Sequence, residues 1–209
     1  MYIITETIMV AEQPVSSAQT PVIPNALVYE ILNGRPLYYR GYKNVLAGIR
    51  KPEDIVGSSS LQAIIVSLIH SFMMANRDKK KYLPVTNEAG VHIDLNDNLS
   101  CDVAIFEKGT FDITTKYFDT APKIVIEVDV KIDLTDFDGI EYNYVAEKTQ
   151  KLFDFGVEKL FWVFNKTRRV FMAVPNQDWI FTDWRNDVPI MDGCVLNVKN
   201  LLDEEEIIY

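Results

Sequence analysis

Residues 121–133, APKIVIEVDVKID, hold the most strand-like run of the chain, and charged side chains interrupt it at regular intervals. Successive side chains of a β-strand point to opposite faces, so Glu127, Asp129 and Lys131 are predicted to share one face. The intervening isoleucine and valine residues share the other face. Charges beside an apolar sheet are costly unless they are paired or hold a metal. The charged residues of this strand are therefore predicted to belong to a functional site.

The bulk composition is that of a globular protein. The chain has 209 residues, 48% of them hydrophobic and 24% charged, enough for one sizeable core. No apolar run approaches the roughly 18 residues of a membrane-spanning helix. No Lys or Arg precedes the first short apolar stretch, so a secretory signal is not indicated. Cys101 and Cys194 lie too far apart in sequence to suggest a disulfide framework or a zinc site, which makes a reducing, cytoplasmic setting the expectation.

The net charge of −9 restricts the functional classes. An acidic surface repels phosphate backbones, so the chain is not expected to coat nucleic acid non-specifically. A nuclease is still compatible with this charge, because enzymes that bind divalent metals need carboxylates and their basic contacts can be local.

The chain-wide pattern predicts an α/β (α+β) fold with a mixed sheet flanked by helices. Residues 1–25 are expected to be a loosely ordered N-terminal segment, and 26–209 a single domain. Asn33-Gly34 between apolar runs indicates a hairpin. Apolar residues at helical spacing predict one helix after Ser58–Ser60 and a second that stops at Gly156. Several short strands, with turns at 87–90 and 96–98, are predicted between these helices.

Acidic residues on predicted strands form the candidate site. Asp102 is expected to begin one strand and Glu127 to lie in the middle of the next, with 24 residues between them. Two carboxylates at the same height on neighbouring strands suit Mg²⁺ or Mn²⁺, and such a metal lowers the pKa of bound water. A nearby lysine could orient that water, and Glu30 could add a carboxylate. The alternatives are a turn-capping Asp102, a solvated ion pair of Glu127 or Asp129 with Lys131, and a surface lysine at Lys148 that pairs with Glu147 or Glu141 on its own helix.

Five motifs in order resemble one family. The motifs are Tyr29-Glu-Ile-Leu-Asn-Gly34, Ser60-Leu-Gln62, Asp102-Val-Ala-Ile105, Pro122-Lys-Ile-Val-Ile-Glu-Val128 and Lys148-Thr-Gln-Lys-Leu-Phe-Asp-Phe-Gly-Val-Glu-Lys-Leu-Phe-Trp162. From about Tyr29 to Leu202 the chain resembles the Uma-type restriction endonuclease family of the PD-(D/E)XK nuclease superfamily. The resemblance implies a restriction-endonuclease-like sheet and a metal-binding cleft at a sheet edge, lined by the charged row.

The resemblance also implies roles for individual residues. Asp102 and Glu127 would be metal ligands, the backbone carbonyl of Val128 a third ligand, and Glu30 a supporting carboxylate. The catalytic lysine would be Lys148, on the helix that follows the glutamate strand.

The sequence departs from the superfamily pattern at the signature lysine, at Ser100-Cys101 where a proline would precede Asp102, and in a longer segment, 130–146, between the glutamate strand and the lysine helix. The lysine of the (D/E)XK signature falls at residue 129, where this chain has an aspartate. A second register stays open, in which Asp129 is a metal ligand and Lys131 the catalytic lysine.

Three functional hypotheses follow. The first is an Mg²⁺- or Mn²⁺-dependent endonuclease with DNA as its substrate. The second is a catalytically inactive nuclease-fold protein that binds nucleic acid or protein, which Asp129 at the lysine position and the acidic charge favour. The third is a structural homodimer that buries exposed aromatic residues.

Overall fold

The computed structural model describes residues 23–209, so the segment predicted over 1–25 lies outside the described residues except for its last three positions. The described strands are Val28–Leu32 (β1), Arg35–Tyr38 (β2), Tyr82–Asp94 (β3), Asp97–Glu107 (β4), Ile124–Val128 (β5), Lys159–Phe164 (β6), Arg169–Ala173 (β7), Ile180–Asp183 (β8), Val188–Met191 (β9) and Cys194–Leu196 (β10). The α-helices are Tyr42–Leu46 (α1), Ser60–Asn76 (α2), Glu141–Phe155 (α3) and Val198–Glu204 (α4). Within 23–209 no helix combines the length and the apolar character needed to span a membrane.

Eight of the described strands form one mixed, mostly antiparallel sheet, in the order β2-β1-β4-β5-β6-β7-β8 with β3 also paired to β4. Among these described strands only β5 and β6 are parallel, and α3 connects them. Strand β4 pairs with β3 along one edge. Its other edge pairs with β1 at Asn98 and with β5 from Val103 to Ile105. The stretch of β4 between these two pairings therefore faces a junction between β1 and β5.

The two faces of the sheet bury separate apolar clusters. The α3-side cluster contains Val125 of β5 with Tyr144 and Leu152 of α3. The α2-side cluster contains alternate residues of β5, such as Ile126, with Ile65 of α2. All five residues of β5 are buried, because helices cover both faces of the strand.

Several local predictions are confirmed. Asn33 and Gly34 both have positive φ, as expected for the two central residues of a tight hairpin turn. Ser59 caps α2, because its side chain accepts a hydrogen bond from the backbone N–H of Gln62 at 3.2 Å. Helix α3 ends at Gly156, whose φ of 121° is easily adopted only by glycine.

Replacing Gly156 with alanine is expected to lower the free energy of unfolding by about 1–2 kcal/mol. The new Cβ would be strained by the positive φ and would also lie 3.3 Å from Cβ of Ala121. Gly109 has φ +84° and nothing within 4 Å of an added Cβ, so Gly109→Ala is a control for the strain alone. Urea unfolding should show the larger loss for Gly156→Ala, and equal losses would contradict a role for the contact with Ala121.

Other expectations were wrong. The region predicted as several short strands is one long hairpin, β3–β4, and its predicted turn near 87–90 is a bulge inside β3. Asp102 lies in the middle of β4 rather than at its start. Strand β5 ends at Val128, because the left-handed backbone of Asp129 (φ 59°) breaks the alternation. The charged row is therefore not one strand face, and β5 lies inside the sheet rather than at its edge.

Candidate functional site

Asp102 and Glu127 lie at the same junction of two neighbouring strands. Val103 pairs with Ile126 at the end of the antiparallel ladder, and Asp102 and Glu127 are the next residues beyond this pair. Asp102 Oδ2 accepts a hydrogen bond from the backbone N–H of Val128 at 2.8 Å. This bond fixes the carboxylate against the end of β5.

The alternation of side chains between the two faces of the sheet is interrupted in β4 at Asp102. Cys101 and Ala104 both belong to the α3-side cluster, although they are three residues apart. Val103 belongs to the α2-side cluster. Regular alternation requires an even spacing between residues on one face, so the strand changes phase at Asp102. The side chain of Asp102 is consequently free to contact β5 instead of packing in either cluster.

The bulge in β3 lies directly across from this phase change. Thr86 pairs with Val103 and Ala89 with Cys101, so Asn87 and Glu88 together oppose Asp102. Both bulge residues have positive φ. Bulges of this kind redirect side chains near functional sites.

Glu30 and Lys148 form a buried ion pair beneath this junction. Lys148 Nζ donates hydrogen bonds to Glu30 Oε2 at 2.9 Å and to the backbone carbonyl of Ser100 at 2.7 Å. The Tyr144 hydroxyl donates to the other oxygen of Glu30 at 2.6 Å. Both charged side chains are fully buried. The alternative in which Lys148 is a surface lysine is therefore wrong.

Glu127 also forms an ion pair with Lys148, but one of its carboxylate oxygens has no hydrogen bond. Its Oε1 lies 3.2 Å from Lys148 Nζ, which is ion-pair distance, yet that oxygen has no partner with hydrogen-bond geometry. Burial raises the pKa of Glu127 to about 7, although Lys148 acts in the opposite direction. One oxygen of Glu127 is thus buried beside the Lys148 ammonium group without a hydrogen bond.

The groups around the ion pair have shifted pKa values of their own. Burial opposes the charged form of Lys148, but Glu127 and Glu30 outweigh it and raise the pKa well above its usual value. Burial also raises the pKa of Tyr29 and Tyr144 well above that of an exposed tyrosine. The ammonium group is therefore charged and both phenols are neutral at physiological pH.

The raised pKa of Glu127 predicts a pH dependence of stability. The folded chain holds the proton on Glu127 up to about pH 7, whereas the unfolded chain releases it near 4.5. Between these values the folded state binds more protons, so this group makes the free energy of unfolding fall as pH rises. Urea unfolding between pH 4.5 and 7 should show this fall in the wild type and a flatter profile in Glu127→Gln. Identical slopes would contradict the assignment.

The structure separates Lys131 from Asp129. Lys131 Nζ lies 3.0 Å from Asp102 Oδ1 and 2.7 Å from Glu88 Oε1, so this lysine joins the cluster. Asp129 Oδ1 instead accepts a hydrogen bond from the backbone N–H of Asn165 at 2.7 Å, at the end of β6. The buried charged cluster thus contains the predicted Asp102, Glu127, Glu30, Lys148 and Lys131, but not Asp129.

Two further residues complete the surroundings of the cluster. Gln62 is buried on α2, and its Nε2 donates to the backbone carbonyl of Val128 at 2.6 Å. In the sequence, Gln62 is marked only by its place at a helix start. Glu88 contacts Lys131 across 43 residues of chain and was not predicted as a site residue. No local pattern signals a contact of that separation.

Open clefts reach the cluster from three directions. The α2–β3 cleft, of about 350 Å³, is lined by Ser67, His70, Thr86, Glu88, Asp102 and Lys131. The β6-end cleft, of about 330 Å³, is lined by Arg40, Gln62, Asp129, Lys131, Glu141 and Lys166. The tyrosine cleft, of about 540 Å³, is lined by Tyr29, Glu30, Tyr39, Glu88, Ser100 and Tyr117. Asp102 and Lys131 are therefore accessible although they are largely buried.

The chemistry of the cluster is compatible with a hard divalent cation. Asp102 and Glu127 offer carboxylate oxygens, and Glu127 Oε1 lacks a hydrogen-bond partner. Within residues 23–209 no three His, Cys, Asp or Glu side chains converge to form a site by themselves. Mg²⁺ is commonly held by one or two carboxylates, with water and substrate oxygens completing its shell. Asp102 and Glu127 thus suit a Mg²⁺ or Mn²⁺ ion whose other ligands are water and substrate oxygens. They do not suit a cation that the protein alone would coordinate.

Comparison with known proteins shows the class of fold. A solved structure described as a "putative nuclease belonging to DUF820", from Anabaena variabilis ATCC 29413, is similar over 83% of this chain and 89% of its own. The TM-score is 0.62 and the sequence identity is 14%. No protein-family model and no curated protein matches the chain. The likeness confirms the predicted fold class, an α+β fold with a mixed sheet flanked by helices.

Proposed function

We propose that this protein is an Mg²⁺- or Mn²⁺-dependent endonuclease that hydrolyses phosphodiester bonds of DNA, and that it belongs to the Uma-type branch. The placement of Asp102 and Glu127 at the β4–β5 junction, one position beyond the paired Val103 and Ile126, carries this proposal. The carboxylates are rigidly placed, one of their oxygens lacks a hydrogen bond, and Asp102 lines an open cleft. The similarity of fold to a nuclease-like protein supports the same class.

The residues of the cluster have distinct proposed roles. Asp102 and Glu127 would hold the cation, which when bound would lower the pKa of water and stabilise charge on the phosphate. Lys148 would act as a positioning residue, because its fully buried ammonium group contacts both Glu127 and Glu30. Lys131 lines two clefts and would supply the positive charge that meets the phosphate.

The alternative register of the signature, with Asp129 as a metal ligand and Lys131 as the catalytic lysine, receives less support. Asp129 lies at the end of β6, where its carboxylate accepts a backbone hydrogen bond and burial raises its pKa. We therefore assign it no metal-binding role, while the lysine of that register, Lys131, keeps a role in the cluster.

A specific observation favours a second candidate function. The Lys131 ammonium group already neutralises Asp102, and an aspartate occupies the usual lysine position of the signature. A nuclease-fold protein in this state could bind nucleic acid or protein without cleaving it. A cytoplasmic location and a homodimer remain predictions from the sequence.

Removal of metal tests the proposal. Supercoiled plasmid should be nicked by the wild-type protein in Mg²⁺ or Mn²⁺, and nicking should fall to background in EDTA and return when excess Mn²⁺ is added. Nicking that persists in EDTA would contradict metal dependence. DNA binding without nicking in either metal would favour the inactive binding module.

A further inference from the structure

The Lys131 ammonium group lies beside Asp102, where the proposed divalent cation would bind. Its Nζ bridges Asp102 Oδ1 at 3.0 Å and Glu88 Oε1 at 2.7 Å. Only 10% of its side chain is exposed. The ammonium group is thus the counter-ion of Asp102 when no divalent cation is bound.

The second carboxylate that contacts Lys131 belongs to Glu88, whose backbone has an unfavourable conformation. Glu88 lies in the bulge of β3 with φ 53°, a conformation that costs free energy in a residue other than glycine. Its carboxylate contacts Lys131 and lines both the α2–β3 cleft and the tyrosine cleft. Lys131 would therefore keep a partner if it lost its contact with Asp102.

We propose that Lys131 is a built-in competitor for the divalent cation: its ammonium group must leave Asp102 when the cation binds, and Glu88 then holds it at the mouth of the clefts. The inference rests on the proposed function, since it assumes that Asp102 and Glu127 hold the cation. Two positive charges cannot share Asp102 Oδ1 without strong repulsion. The wild-type protein therefore binds the cation more weakly than the carboxylates alone would allow.

The displaced lysine gains a role in substrate binding. Lys131 lines the α2–β3 cleft and the β6-end cleft, on either side of its present position. Cation uptake would free its charge for an anionic phosphate in these clefts. Binding of the cation would thus favour binding of the phosphate, and by linkage the phosphate would favour the cation.

Titration calorimetry with Mn²⁺ tests the competition. Lys131→Met removes the competing charge and is expected to tighten Mn²⁺ binding by at least about 10-fold. Lys123→Met is the matched control, because Lys123 precedes β5 and pairs with Glu107 and Glu158 outside the cluster. Its Mn²⁺ affinity should stay within about 2-fold of wild type. If Lys131→Met does not fold, Lys131→Gln is a second neutral variant with the same expectation.

The outcomes separate this inference from the proposed function. Equal or weaker Mn²⁺ binding by the neutral variant, or no binding by either protein, would overturn the competition. Tighter binding by the variant together with no plasmid nicking by wild type would support the competition and contradict the nuclease. Plasmid nicking by the wild type, without tighter Mn²⁺ binding by the variant, would support the nuclease and contradict the competition.

Discussion

Replacing Lys148 with methionine is expected to lower the free energy of unfolding by about 3–5 kcal/mol at pH 8. The ammonium group is fully buried between Glu30 and Glu127, with distances of 2.9 and 3.2 Å. Methionine fills a similar volume but leaves two buried carboxylates without a countercharge. Urea unfolding measures the loss, which should shrink as pH falls and the carboxylates take up protons.

Two variants make the Lys148 result interpretable. Lys43→Met removes a lysine that is half exposed and pairs with Asp133 at the surface, so its cost should be at most about 1 kcal/mol. The triple variant Lys148→Met/Glu30→Gln/Glu127→Gln removes all three charges and should regain most of the lost stability. A single Lys148→Met variant as stable as wild type would show that the ion pair is not a determinant of the fold.

Asp102→Asn is expected to reduce metal-dependent plasmid nicking by at least about 100-fold. Asparagine keeps the shape of the side chain and can still accept the hydrogen bond from the Val128 N–H. It loses the negative charge that a divalent cation needs. The initial rate of nicking in Mn²⁺, measured on proteins purified in parallel, gives the size of the effect.

A matched control guards against a contaminating nuclease. Asp112→Asn makes the same chemical change on an exposed loop and should leave nicking unchanged. Nicking by Asp102→Asn at the wild-type rate would show that Asp102 does not hold the catalytic metal, or that the activity belongs to another protein.

Local signals in the sequence predicted the elements that frame the site. The Asn33-Gly34 turn, the Ser59 cap and the Gly156 stop each depend on a backbone preference that one or two residues carry. The pairing of the Asp102 strand with the Glu127 strand was also predictable, since two strongly apolar runs follow each other along the chain.

The inner geometry of the site was not predictable from local patterns. Asn87 and Glu88 resemble a turn in sequence but form a bulge, because the long pairing of β3 with β4 continues on both sides of them. The alternation that groups Glu127 with Asp129 fails because a left-handed residue follows β5. Gln62 meets the Val128 carbonyl across 66 residues of chain, and only the assembled sheet and helices bring these groups together.

Titration of Mn²⁺ into the wild-type protein and into Asp102→Asn/Glu127→Gln tests the central claim most directly. We predict saturable binding by the wild type and none by the double variant, with both proteins folded by circular dichroism. Equal binding by the two proteins, or no binding by the wild type at millimolar Mn²⁺, would contradict a metal site between β4 and β5.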